Sequence, residues 1–197
     1  FQWFIEMIRR FNLQFVILDE ERCQEIVSDN TPEDPGPDDE PVNPFEAQQL
    51  MLCGLSLLQA PERLEQALIA EWDLVIVDEA HHLAWSEESV SEEYQHIEQL
   101  ASVTSGLLLL TATPEQLGRA GHFARLRLLD PARYHSFSEF QAEEAGFTRI
   151  AQLTEDLMGD DELKKTESRT QIKDSLELEA DTDLQLIDML LDRHGTG

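Results

Sequence analysis

Basic residues are scarce in this sequence of 197 residues, in which 14 Lys and Arg stand against 41 Asp and Glu, giving a formal net charge of −27. Clustered Lys and Arg supply most of the affinity of proteins for nucleic acid, so the chain itself is not expected to bind DNA or RNA strongly. The balance favours solubility, or docking on a basic surface of a partner. Any nucleic-acid contact is expected to be local, or to depend on a basic region elsewhere.

Cysteine and long apolar runs are scarce as well. The two cysteines, Cys23 and Cys53, form no C-x-x-C pair, and we interpret them as buried structural thiols in a reducing compartment. No stretch approaches the roughly 20 apolar residues of a membrane span, so no membrane partner is expected. No signal peptide is visible, and the opening at residues 1–3 and the end at 195–197 look cut. We therefore expect a piece of a larger protein.

Short apolar runs alternate with stretches of helical periodicity over the first 135 residues. The strongest run, Leu-Val-Ile-Val at 74–77, predicts a central strand covered on both faces. Ser91 is the predicted N-cap of a helix over 91–104. Strands that alternate with helices are typical of a parallel sheet with right-handed crossovers, so the predicted fold class is α/β. The other predicted strands and helices are 15–18, 50–53 and 107–110, and 1–12 and 61–70.

Two acidic segments depart from this pattern. Residues 28–44 contain six acids and five prolines, which predicts a mobile, solvated insertion. After residue 135 only helical periodicity remains, with Phe140, Phe147, Leu153 and Leu157 on the apolar stripe. The stripe fades over 159–181, which indicates a solvated helix or partial disorder. We expect one domain at 1–135, with 28–44 inserted, and an acidic helical extension at 136–197.

Polar residues follow two of the predicted strands directly. Asp-Glu-Ala-His occupies 78–81, and Thr-Ala-Thr-Pro occupies 111–114. Parallel strands end at the same edge of a sheet, where open α/β sheets bind their ligands, so these carboxylates and hydroxyls are expected to face one ligand. An Asp-Glu pair at a strand end suits a hydrated Mg²⁺ and a water aligned on a nucleotide phosphate.

Other candidate residues have a functional and a structural interpretation. His81 and His82 lack a third ligand at zinc spacing, and adjacent histidines usually point in different directions, so a metal hydrolase is disfavoured. Trp85 suits the core better than a stacking platform for bases. The 119–127 segment contains three arginines, Arg119, Arg125 and Arg127. The functional interpretation is a small contact surface for DNA or polymerase. The structural interpretation is that they form ion pairs with nearby acids.

These motifs resemble those of superfamily 2 helicase-like ATPases. Residues 74–81 resemble motif II (Walker B), and Leu-Leu-Thr-Ala-Thr-Pro at 109–114 resembles motif III. Gln2, Trp3 and Glu6 resemble the segment after motif Ia in the Swi/Snf branch. Further stretches are similar to the Swi/Snf-type ATPases that associate with bacterial RNA polymerase: 81–86, 113–118, 122–131 and 192–196.

The resemblance implies a RecA-like (P-loop NTPase) parallel sheet flanked by helices and incomplete at its amino end. By motif, Asp78 holds Mg²⁺ through water and Glu79 polarises the attacking water. Ala80 and His81 lie beside them, and His81 couples the nucleotide site to the nucleic-acid track. Asp78, Glu79 and His81 would contact the nucleotide and its metal.

Thr111 and Thr113 would, by the same resemblance, bond back to motif II and relay the nucleotide state. The implied cofactors are ATP and Mg²⁺, and the implied partners are RNA polymerase, whose recycling the protein promotes, and DNA or RNA through the full-length protein. The implied location is the bacterial cytoplasm.

One element of such an ATPase is absent from the sequence. No G-x-x-x-x-G-K-[ST] occurs, so the lysine and backbone N–H groups that cradle phosphates are missing. We expect the chain to begin after that loop and to end before the second lobe, and therefore to lack ATPase activity by itself. The alternatives are a non-hydrolysing acidic interaction module on an ATPase scaffold, or another superfamily 2 DNA or RNA helicase.

Overall fold

A computed structural model describes residues 2–32, 34, 36, 41–112, 118–159, 161–176, 182, 183, 185–187 and 189. The strands are β1 (Val16–Leu18), β2 (Met51–Cys53), β3 (Val75–Val77) and β4 (Leu107–Leu109). The helices are α1 (Gln2–Phe11), α2 (Glu20–Asn30), α3 (Pro61–Ile69), α4 (Glu92–Val103), α5 (Gly118–Leu129), α6 (Phe137–Met158) and α7 (Glu162–Leu176). Short 3₁₀ turns lie at Pro44–Glu46, Leu55–Gln59 and Ala80–His82. Contacts divide the chain into two units, Phe1–His135 and Ser136–Gly197.

The strands pair in parallel, which confirms the predicted α/β class. β1 pairs with β2, and β3 pairs with β4 in a register that sets Val77 opposite Leu109. Among the described residues no ladder joins the two pairs. Helix α4 connects β3 to β4, and it begins where predicted, because the Ser91 hydroxyl accepts a hydrogen bond from the Tyr94 backbone N–H.

The core of the first unit lies between the strands and the helices that follow them. Val77 of β3 is buried there, together with Tyr94, Ile97 and Leu100, which follow one another at intervals of three residues on one face of α4. The Tyr94 hydroxyl donates to the carbonyl of Ala124 at 3.0 Å, which satisfies its polar end inside the core. Burial raises the pKa of Tyr94 to about 12.

The prediction that the central strand is covered on both faces is wrong for the described residues. Val77 is 5% exposed, whereas its neighbour Ile76 is 45% exposed. Leu108 on β4 is similarly exposed at 43%. Successive residues of a strand point to opposite faces, so the helices of the described chain cover one face of this pair and leave the other open.

The predicted insertion at 28–44 is shorter and better anchored than expected. Helix α2 continues to Asn30, whose side-chain amide donates to the carbonyl of Ile26. At the other end Pro44 and Phe45 are buried, and the Asn43 amide donates to the carbonyl of Gln66 at 2.9 Å. The carboxyl end of the segment is therefore packed rather than solvated. Residues 33, 35 and 37–40 lie outside the described residues.

One cysteine departs from its prediction. Cys23 on α2 is buried, as expected, but Cys53 at the end of β2 is exposed. Both are free thiols.

None of the described helices is both long and apolar enough to cross a membrane.

The second unit is built from α6 and α7. Leu153 and Leu157 of α6 and Ile172 of α7 are buried in one cluster. The 159–181 segment is thus helical over 162–176 and packs through Ile172, although its other described side chains are mostly exposed. Phe147, predicted on the apolar stripe, is 45% exposed, because the packed stripe runs through residues 150, 153 and 157 instead.

A buried arginine ties α3 to the start of α2. Arg63 is 6% exposed and donates through Nε and Nη2 to the two carboxylate oxygens of Glu20, at 3.1 and 2.9 Å. The third donor group, Nη1, reaches Gln66 Oε1 at 2.7 Å. The hydrogen bonds from Arg63 hold the pKa of Glu20 at about 2, well below its ordinary value of 4.5.

This pair predicts a specific loss of stability in acid. The folded state favours ionised Glu20, so its contribution is complete above pH 4.5 and disappears as the pH falls to about 2. We expect Glu20→Gln to be less stable than the wild type at neutral pH, with a gap that closes over this window in urea titrations at several pH values. Glu21→Gln, in the same turn, is the control. An equal gap at pH 7 and pH 2 contradicts the prediction.

Candidate active site

The structure brings the two predicted strand ends together. Leu110, just after β4, donates its N–H to the carbonyl of Val77 at 2.8 Å, and its own carbonyl accepts from the N–H of Ala80 at 2.8 Å. These two backbone bonds continue the parallel ladder past the ends of the strands. Asp78 and Glu79 therefore lie beside the chain that leads into Thr111.

Both carboxylate oxygens of Asp78 accept a hydrogen bond. Oδ1 accepts from the backbone N–H of Glu79 at 2.9 Å, and Oδ2 accepts from the indole Nε1 of Trp3 at 2.6 Å. Trp3 lies on α1, 75 residues earlier in the chain. The sequence offered only the Gln2-Trp3-Glu6 pattern as a signal for this residue, and it gave no indication of the contact with Asp78.

Glu79 has a backbone conformation that is uncommon for a residue with a side chain. Its φ of 51° and ψ of 41° are left-handed, at a cost of about 1–2 kcal/mol relative to the right-handed form. The chain then turns sharply into the 3₁₀ turn at Ala80–His82. As a result Ala80 is fully buried, while the side chain of Glu79 stays 54% exposed. The turn presents the carboxylate outward.

His81 lies against the acid pair, as its position in the tetrad predicts. Its Nδ1 is 3.1 Å from Oε2 of Glu79, close enough for an ion pair when the imidazole is protonated, but its direction is unsuited to a hydrogen bond. The rings of His81 and His82 stand 4.1 Å apart at 41°, so the expectation that they point in different directions is wrong. Within the described residues no three His, Cys, Asp or Glu groups converge on a metal position.

The chemistry of the acids nevertheless fits Mg²⁺ with a nucleotide. Mg²⁺ keeps several waters and is usually held by one or two carboxylates together with substrate phosphates, rather than by a complete protein cage. Asp78 provides one such carboxylate, already oriented by two hydrogen bonds. The exposed carboxylate of Glu79 follows it directly.

Thr111 lies at this edge, and its hydroxyl is not part of the link to motif II. Its Oγ1 is buried and has no hydrogen-bond partner among the described residues, and the link is made by the backbone of Leu110. Thr113, predicted to act with Thr111, lies outside the described residues, as do 114–117.

Arg125 on α5 contradicts both interpretations of the arginine cluster. It is 8% exposed, and its guanidinium contacts backbone carbonyls rather than solvent or acids. Nε and Nη2 donate to the Ala80 carbonyl at 3.2 and 2.6 Å, Nη2 also donates to Leu83 at 2.8 Å, and Nη1 donates to Gly121 at 2.8 Å. Burial lowers its pKa.

Arg127 and Trp85 behave as their structural interpretations predict. Arg127, two residues on, is 3.5 Å from Oε1 of Glu98, which makes it an ion-pair partner. Trp85 packs against Phe123 with ring centroids 5.1 Å apart and belongs to the core. The core interpretation of Trp85 is therefore confirmed.

Parallel strands flanked by helices, with an acid pair at one strand end and a threonine segment at the next, define a RecA-like α/β domain of the helicase type. The chain belongs to the family described as "Type III restriction enzyme, res subunit", whose model matches residues 8–116, more than half of the 197 residues.

Along its whole length the chain is similar to RNA polymerase-associated protein RapA. It is 47% identical over 215 aligned residues to RapA of Photobacterium profundum, and 46% identical to RapA of Vibrio campbellii and of Vibrio parahaemolyticus. Each match covers 100% of this chain and 21% of the relative, so the chain spans about a fifth of the length of these curated relatives. The resemblance drawn from the motifs is confirmed.

Proposed function

We propose that this chain forms the metal- and water-binding half of the ATPase site of a Swi/Snf-type translocase. The observation that carries the proposal is the position of Asp78 and Glu79, at the carboxyl end of β3 and hydrogen-bonded across to the end of β4 through Ala80. In this proposal Asp78 holds Mg²⁺ through water, and Glu79 polarises the water that attacks the γ-phosphate of ATP. In this proposal His81 couples the site to the nucleic-acid track and Thr113 relays the nucleotide state, while the backbone of Leu110, rather than the Thr111 hydroxyl, links the segment after β4 to the turn after motif II.

The geometry of the acid pair supports these roles. Phosphoryl transfer depends on positioned charge more than on covalent chemistry, and Mg²⁺ supplies charge neutralisation at the phosphate oxygens when it is bound. Asp78 is fixed by the N–H groups of Glu79 and Trp3, which suits a group that orients a hydrated ion. The side chain of Glu79 is 54% exposed, with the imidazole of His81 3.1 Å from one carboxylate oxygen, and this exposure suits a group that contacts a water.

The proposal extends to a longer protein of the relatives' length, called the longer protein below. Residues 1–135 would be part of its first RecA-like lobe, and 136–197 an acidic extension toward the second. We infer that the longer protein is cytoplasmic, binds RNA polymerase, promotes its recycling, and moves along DNA or RNA through other regions. The name of the relatives and their identity along the whole chain support this inference. The net charge of −27 suits docking on a basic protein surface.

A second candidate function is an acidic interaction module that keeps the ATPase scaffold without turnover. The net charge of −27 favours it, because a strongly acidic surface suits docking on a basic partner. A different superfamily 2 helicase is a third candidate, consistent with the family model, although that model matches only residues 8–116 and the identity to RapA extends over the whole chain.

The coding sequence on either side of this chain separates these candidates. A Gly-Lys-Thr phosphate loop encoded upstream of Phe1 supports the ATPase, and its absence supports the interaction module. Second-lobe motifs downstream of Gly197 distinguish a Swi/Snf-type enzyme from other helicases. The chain alone is expected to release no phosphate from ATP, and turnover that Glu79→Gln abolishes would contradict this.

A further inference from the structure

The side chain of Arg125 is a buried cation that contacts the backbone just after the acid pair. The guanidinium of Arg125 is enclosed among backbone groups, and its partners in the described chain are three carbonyls, those of Ala80, Leu83 and Gly121. Gly121 belongs to its own helix, but the other two belong to the turn that follows Glu79. Burying a charge without a carboxylate partner is costly, and the cost is offset only by well-placed hydrogen bonds.

We infer that Arg125 is a positioning residue that sets the direction of the Asp78–Glu79 pair by fixing the 3₁₀ turn at Ala80–His82 and Leu83, the residue that caps it. Ala80 is the residue after Glu79, and both of its backbone polar groups are held. Its N–H donates to Leu110 after β4, and its carbonyl accepts from Arg125 on α5. The left-handed conformation of Glu79 is therefore fixed from its carboxyl side by two anchors, one of which is this arginine.

The two anchors also connect the site to the segment that follows β4. Leu110 precedes the threonine segment at 111–114, and α5 begins four residues after the end of that segment, at Gly118. Arg125 thus links the helix after motif III to the turn after motif II. A shift of α5 along its axis would move the carbonyl of Ala80, and with it the acid pair.

The guanidinium is suited to this role in a way that an ammonium is not. It presents five N–H donors in a rigid planar fork, and here Nε and Nη2 bind one carbonyl together while Nη2 and Nη1 reach two more. Lysine keeps the charge but offers one nitrogen at one position. Glutamine removes the charge and offers two donors. Neither side chain can make all of the hydrogen bonds that the guanidinium donates to the three carbonyls.

Amide hydrogen exchange on this chain tests the inference without any enzymatic activity. In Arg125→Lys and in Arg125→Gln, we expect the amides of His82 and Leu83 to exchange at least about tenfold faster, while those of Ile97 and Leu100 in α4 stay protected. Arg127→Lys is the matched control, because it lies on the same helix but pairs with Glu98. Its turn amides should exchange at the wild-type rate.

Three outcomes overturn the inference. Unchanged exchange at His82 and Leu83 in both Arg125 variants shows that the arginine does not fix the turn. If amide exchange at Ile97 and Leu100 in α4 is accelerated as much as in the turn, the substitution has lowered the stability of the whole unit and not of the turn alone. If exchange at His82 and Leu83 is accelerated in Arg125→Gln but not in Arg125→Lys, the positive charge fixes the turn and the planar arrangement of guanidinium donors does not.

The consequence for catalysis rests on the proposed function and is measured in the longer protein. We expect Arg125→Lys to lower kcat for ATP about tenfold or more with little change in KM, because it displaces the water-polarising acid and leaves phosphate binding intact. A wild-type kcat in Arg125→Lys overturns the link to catalysis. If the wild-type longer protein itself turns over no ATP, the proposed function fails, and the exchange experiment still decides whether Arg125 fixes the turn.

Discussion

Glu79→Gln in the longer protein is expected to lower ATP turnover about 10²–10⁴-fold, the usual contribution of a positioned general base or water-orienting acid. Glutamine has nearly the same shape but cannot accept a proton or attract a developing positive charge on water. The side chain is 54% exposed, so the substitution is not expected to disturb folding. Asp78 remains in place, so binding of Mg²⁺ and ATP should be retained while hydrolysis is lost. Release of phosphate and binding of a fluorescent ATP analogue measure the two effects separately.

Glu88→Gln is the matched control for that experiment. Glu88 is an exposed acid nine residues further along the same connection between β3 and α4, and its substitution removes the same charge. Its turnover should equal that of the wild type. The proposed role of Glu79 is contradicted if Glu79→Gln keeps full turnover, or if Glu88→Gln loses as much activity.

Phe123→Ala is expected to destabilise the first unit by about 3–5 kcal/mol, the usual cost of truncating a buried phenylalanine. Phe123 is fully buried on α5 and packs against the indole of Trp85. Removing the ring leaves a cavity between α5 and Trp85, which lies in the loop after the 3₁₀ turn at Ala80–His82. Such a loss is a large fraction of the stability of a typical domain. Urea unfolding followed by tryptophan fluorescence measures it.

Phe11→Ala provides the comparison, since Phe11 at the end of α1 is 63% exposed. Its substitution should change the free energy of unfolding by about 0.5 kcal/mol or less. Similar losses in the two variants would show that α5 does not pack on the core of this unit as described.

The strands and the position of the acid pair were predictable because their signals are local. Four apolar residues at 74–77 with acids directly after them define a strand and its end without information from elsewhere in the chain. Ser91 at the start of a helical pattern is an equally local signal. Parallel pairing then brings the segment after β4 to the same edge, as the order of elements requires.

The features that were missed depend on contacts between distant residues. Arg125 occurs in a helix with two other arginines, where exposure is the usual expectation, and only the folded chain brings it to carbonyls 42 and 45 residues away. The contact between Trp3 and Asp78 joins residues 75 apart. The open face of β3 and β4 was missed because an apolar run does not reveal whether helices cover one face or both.

Metal-directed cleavage of the longer protein tests the central claim, that Asp78 and Glu79 form the metal- and water-binding half of a nucleotide site. Fe²⁺ in place of Mg²⁺, added with ATP, ascorbate and peroxide, cuts the backbone close to where the metal is bound. We predict ATP-dependent cuts at the ends of β3 and β4, near residues 78–80 and 110–112, that disappear in Asp78→Asn. Cuts confined to other regions, or cuts at these positions that Asp78→Asn leaves unchanged, would contradict the claim.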